Sequence, residues 1–77
     1  MPHLSPLSSK KLIALLVREG FVCMRIRGSH HYFLNETTRK TTVVPAHSNR
    51  DVGVGLLRTI LRDIDMSTDE FNSRLKR

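Results

Sequence analysis

A single cysteine, Cys23, stands in this chain of 77 residues. It excludes an intramolecular disulfide framework, a zinc ribbon and a CxxC redox centre. Cys23 is read as a small half-buried hydrophobe among apolar neighbours. No apolar run reaches the length of a membrane span, so none is expected. The opening Met1-Pro2-His3-Leu4-Ser5-Pro6 lacks a basic segment followed by an apolar one, the pattern of a secretory signal. The sequon Asn35-Glu36-Thr37 therefore carries no weight, and a reducing cytoplasm is the expected location. The four histidines, His3, His30, His31 and His47, form no HxxxH or HxxE pair, which argues against a structural metal. Acidic residues are also few, seven against 13 Lys and Arg, giving a net charge of +6. That excess favours a polyanionic partner through counterion release and electrostatic steering.

The length allows one domain, residues 1–77, with no second core. Pro2 and Pro6 mark residues 1–7 as a loose lead-in. Ser8 or Ser9 can cap a helix whose stripe is Leu12, Ile13, Leu16 and Val17, with Gly20 as its stop. Phe21–Arg27 reads as a strand in which Val22, Met24 and Ile26 alternate with Cys23, Arg25 and Arg27. Gly28-Ser29 is a two-residue hairpin turn, with Gly at the first central position as a type II′ turn prefers. His30–Leu34 returns, Asn35–Lys40 turns again, and Thr41–Val44 is a third strand stopped by Pro45. Ala46–Gly53 is a loop in which Asp51 favours a helix start. Leu56, Leu57, Ile60, Leu61 and Ile64 mark one face of a second helix. Ser67-Thr68-Asp69-Glu70 is a capping box opening a short last helix, residues 67–77, with Phe71 and Leu75. Two amphipathic helices and a three-strand meander make an α+β two-layer fold, with one sheet face open to solvent.

The densest chemistry lies in Arg25-Ile26-Arg27-Gly28-Ser29-His30-His31-Tyr32-Phe33. Cations, imidazoles and an aromatic there suit holding a phosphodiester and moving a proton beside it. Alternation puts His30, Tyr32 and Leu34 on one face and His31 and Phe33 on the other. Phe33 is the natural core member, so His31 is expected to face the helices and His30 the open side. The bland reading stands beside this: a strand histidine is commonly a partly buried residue bonded to backbone, and Arg25 and Arg27 can be solvated surface.

This run, with Val43-Val44-Pro45-Ala46-His47 and Gly55-Leu56-Leu57-Arg58-Thr59-Ile60-Leu61-Arg62-Asp63, resembles the HicA toxins, the mRNA interferases of HicA–HicB toxin–antitoxin modules. The resemblance covers about Ser9 to Asp63 and implies a double-stranded-RNA-binding-domain-like fold, α-β-β-β-α with a short C-terminal helix. It also implies an endoribonuclease that cleaves mRNA and is blocked by a HicB-type antitoxin. Carried over by position, the catalytic histidine is His30, with His31 the alternative, and Gly28 and Ser29 form the structural turn. The expected reaction needs no metal or other cofactor: His30 takes the proton of the RNA 2′-OH. Arg25, Arg27, Tyr32, Lys40 and His47 are candidate RNA contacts, and the free chain is expected to be a monomer. Two other classes remain open, a non-catalytic RNA-binding module of the same fold and a protein-interaction domain.

Overall fold

The computed structural model describes residues 3–46 and 50–76. The elements run β1 (Leu7–Ser8), α1 (Ser9–Arg18), β2 (Val22–Arg27), β3 (His30–Asn35), β4 (Lys40–Pro45), β5 (Asp51–Val52), α2 (Val54–Asp63) and α3 (Thr68–Leu75). β2, β3 and β4 form an antiparallel meander in that order, and β1 pairs with β5 in a separate two-stranded ribbon. The architecture is the small α+β layout read from the sequence, one helix, three strands and C-terminal helices. Among the described residues no helix is long and apolar enough to cross a membrane.

Local chemistry explains most element ends. The Ser8 side chain accepts from the Lys11 N–H at 3.2 Å and opens α1. Gly20, at φ +97°, takes the left-handed conformation that closes it. In α3 the capping box is complete: Glu70 N–H donates to the Ser67 hydroxyl, and Ser67 N–H to the Glu70 carboxylate. Arg74 then ties α3 to the end of α1 through an ion pair with Glu19. α2 departs from expectation at its start. Its N-cap is Gly53, with no side-chain cap, and Asp51 instead lies in β5.

The core gathers Leu12, Leu15 and Leu16 of α1, Leu57, Ile60 and Leu61 of α2, Phe71 of α3, and Phe33 and Val44 of the sheet. Each such side chain contributes about 1.5–3 kcal/mol by leaving water. Leu56, expected on the buried stripe, is 40 % exposed at its margin. Leu4 is also in the core, and Leu7–Ser8 is held to Asp51–Val52, so residues 4–8 are tied down more firmly than a loose lead-in. Of the long strands, β4 makes the closest association with α1 and α2. The sheet therefore projects past the helical layer on the β2 side, and all of β2 is exposed.

Two strand details correct the expected pattern. Pro45 does not stop the third strand but ends it as the partner of His30. In β2 the register slips between Cys23 and Arg25, because Cys23 opposes Phe33 and Arg25 opposes Tyr32. Met24 is the extra residue of a bulge. Directly opposed residues share a face, so Val22, Arg25 and Arg27 lie on the open side and Cys23 and Ile26 on the helix side. Regular alternation would have put Val22 and Ile26 together. Cys23 is exposed, not half-buried, and its thiol donates to the Arg25 carbonyl at 3.5 Å across the bulge.

Candidate nucleic-acid interface

The hairpin β2–β3 turns at Gly28-Ser29. Gly28 has φ +57° while Ser29 stays in the ordinary negative-φ region. One positive φ, at the first central position, fits the type II′ turn and not type I′. A side chain at Gly28 would meet no atom within 4 Å, so the demand for glycine is set by the backbone conformation alone. The turn closes on the pair Arg27 and His30, and Pro45 flanks His30 on the other side. One step along the sheet on the same face, Arg25 and Val43 flank Tyr32. The open face thus carries two successive rows, each with a cation on β2, a ring on β3 and an apolar residue on β4.

The guanidinium of Arg25 lies 4.6 Å from the Tyr32 ring centroid. At an exposed site such a cation–π contact contributes about 0.5–1 kcal/mol, enough to bias where the guanidinium rests. No Asp or Glu occurs from Gly20 to Asn35, so both arginines act on this face without an anionic neighbour in the hairpin. His30 is exposed on it.

His31 occupies the opposite face, between Ile26 and Val44, and is half-buried. Its Nδ1 lies 3.1 Å from the Ser29 carbonyl. A carbonyl only accepts, so Nδ1 carries the proton and Nε2 keeps its lone pair in the neutral ring. The same carbonyl accepts from the Ala46 N–H at 2.7 Å, which locks the end of β4 to the turn. His31 is therefore a turn-fastening residue.

The remaining sequence candidates separate. Lys40 opposes Asn35 at the far end of β3 from His30. At about 3.4 Å per strand residue, the five steps between them put it roughly 17 Å away, outside the cluster. His47 lies outside the described residues. Val43 and Pro45, the apolar border of the two rows, were not among the site residues expected from the sequence. Only the β3–β4 register reveals them, and two strands of near-equal length joined by a polar turn do not specify it uniquely. Among the described residues, no group of three or more His, Cys, Asp or Glu is arranged to hold a metal ion.

Comparison with known proteins gives one positive result. The family model described as HicA toxin of bacterial toxin–antitoxin matches residues 9–66. No curated protein and no solved structure matches the chain. The matched span runs from the first residue of α1 to the turn after α2, so it includes both helices that back the sheet and the whole hairpin. The chain belongs to the HicA toxin family of bacterial toxin–antitoxin systems.

Proposed function

We propose that the chain is an mRNA interferase, an endoribonuclease that arrests translation and is neutralised by a HicB-type antitoxin. The observation that carries the reading is the open-face arrangement in which exposed His30 stands directly opposite Arg27, one row from the Arg25–Tyr32 pair. Family membership supplies the toxin role. The side chains supply a chemistry for it.

An RNA strand carries its own nucleophile, the 2′-OH next to each phosphodiester. His30 Nε2 or Nδ1, neutral, takes the 2′-OH proton as the oxygen attacks phosphorus. The new O2′–P bond forms as the P–O5′ bond breaks, leaving a 2′,3′-cyclic phosphate and a 5′-hydroxyl. Negative charge grows on the non-bridging oxygens during this step, and Arg27 and Arg25 are the cations on that face able to offset it. Tyr32, with the Arg25 guanidinium beside it, offers a flat surface for a base next to the scissile bond. The leaving oxygen takes its proton from water or from the imidazolium formed in the first half of the reaction.

The test is expression in cells of the wild type and of His30→Ala. The imidazole is exposed and outside the core, so its removal leaves the fold intact. The wild type is expected to arrest growth and deplete mRNA, and the variant to do neither. Continued mRNA loss with a folded His30→Ala protein overturns the assignment of the base.

A further inference from the structure

Strand β2 is unlike its neighbours. Its six residues are all exposed, while β3 and β4 each contain buried ones. Three of the five exposed large hydrophobics among the described residues lie on it: Val22 at 53 %, Met24 at 56 % and Ile26 at 58 %. The cause is the offset of the two layers. α1 and α2 associate most closely with β4, so Ile26 shares the face of Phe33 and Val44 yet stays 58 % exposed. β2 is also an end of the sheet, since β3 takes one edge and no described strand takes the other. An apolar edge strand with backbone N–H and C=O groups facing outward is a template for strand addition.

Three occupants are chemically distinct. A second copy pairing antiparallel through β2 would bring Arg25 and Arg27 of both strands together, on chains of net charge +6 each. Like charges across a pair are destabilising, so self-pairing is disfavoured. A nucleic acid would satisfy the arginines but leave Met24 and Ile26 in water and the backbone edge without strand partners. A protein segment with acidic and apolar side chains answers both demands. We infer that the outer edge of β2 docks an extended segment of a partner protein, which sets Asp or Glu against Arg25 and Arg27 and apolar side chains against Met24 and Ile26. The bulge at Met24 interrupts regular pairing, so continuous backbone bonding is confined to Arg25–Arg27, and side-chain complementarity carries the specificity.

The antitoxin that family membership implies is the partner to test, and to that extent the inference rests on the toxin–antitoxin reading. The chain is co-expressed and purified with the antitoxin encoded beside it. Hydrogen exchange of the free chain is then compared with that of the complex. The β2 amides that face away from β3, alternate ones in an antiparallel pair, are expected to exchange quickly when free and to be protected in the complex. Met24→Glu and Ile26→Glu, at side chains more than half exposed, are each expected to weaken the complex roughly tenfold or more through charge repulsion and lost apolar contact. Thermal melts of both variants check that they fold, and the exchange comparison needs no variant. Unprotected β2 amides with unchanged affinity of both variants overturn the inference. So does concentration-dependent self-association of the free chain that protects β2, or protection by an RNA oligonucleotide where the antitoxin gives none. None of these readouts uses RNA cleavage. A chain that cuts no RNA would therefore refute the proposed function and leave this docking edge to be judged separately.

Discussion

Asn35 offers the most quantitative test of how the histidine-bearing strand is held. It is 7 % exposed at the end of β3, and its side chain makes three hydrogen bonds. Nδ2 donates to the Glu19 carbonyl at 3.1 Å, and Oδ1 accepts from the Thr37 N–H at 3.0 Å and the Thr38 N–H at 3.2 Å. One amide thus ties the C-terminal end of α1 to the β3–β4 turn and anchors β3 beneath the helix layer. Asn35→Ala removes all three bonds. A net hydrogen bond contributes about 0.5–1.5 kcal/mol, but the exposed Thr37 and Thr38 amides recover water, whereas the Glu19 carbonyl is partly enclosed. The expected loss is about 2 kcal/mol, a fall in Tm of roughly 8–16 °C for a domain of this size. Urea and thermal denaturation followed by circular dichroism measure it. Gly20→Ala sharpens the test, because its new Cβ would lie 3.2 Å from Asn35 Nδ2 at a backbone φ of +97°. Asn35→Ala removes that obstruction, so the double variant is expected to lose less stability than the sum of the single losses. A loss under about 0.5 kcal/mol for Asn35→Ala would refute the tie as an element of stability.

Three further outcomes follow from other parts of the molecule. Phe71→Ala empties a site only 1 % exposed and is expected to cost about 3–5 kcal/mol, enough to unfold much of a small domain at 37 °C by calorimetry; a loss under 1 kcal/mol would mean α3 is not part of the core. The Ser67 backbone N–H, then the Ser67 hydroxyl, with Arg74 nearby, hold the Glu70 carboxyl below the usual carboxylate range. Its folded value being depressed, the ionised box stabilises above the unfolded carboxylate value and is lost as pH falls through the folded one, so wild type and Glu70→Gln are expected to converge in acid urea melts, and parallel curves would contradict this. Tyr32→Ala and Arg27→Ala are each expected to weaken binding of an RNA oligonucleotide, with only Arg27→Ala flattening the salt dependence by about one counterion; equal salt slopes for both would remove Arg27 from the phosphate path.

The parts of the fold visible in the sequence are those decided locally. α1 and α3 announce themselves through Ser8, Gly20, Ser67 and Glu70, whose side chains or conformations act within one turn of helix. The face separation of His30 from His31 follows from strand alternation and from the apolar weight of Phe33, which is 2 % exposed. What escaped the sequence is decided by contacts between distant segments. Leu7–Ser8 meets Asp51–Val52 through two residues on each side, too few to leave a pattern. The bulge at Met24 is invisible because Val-Cys-Met-Arg-Ile-Arg alternates in polarity either way, and only the partner strand sets the slip. For the candidate site, the sequence grouped Arg25, Arg27, His30 and Tyr32 by chemistry and put His30 and Tyr32 on one face, and the β2–β3 register adds the two arginines to it. Lys40 was grouped with them by charge, and the register sends it to the other end of the hairpin.

If His30 takes the proton from the RNA 2′-OH, as proposed, cleavage depends on that hydroxyl. Purified chain is incubated in EDTA with an RNA oligonucleotide and with the same oligonucleotide carrying a 2′-deoxy sugar at the cut site, and the product ends are read by mass spectrometry. Cleavage of the all-ribose strand to a 2′,3′-cyclic phosphate and a 5′-hydroxyl is expected, with no cleavage at the deoxy position and no cleavage of either strand by His30→Ala. Cleavage of the deoxy strand, or a folded His30→Ala protein that cuts at the wild-type rate, would contradict it.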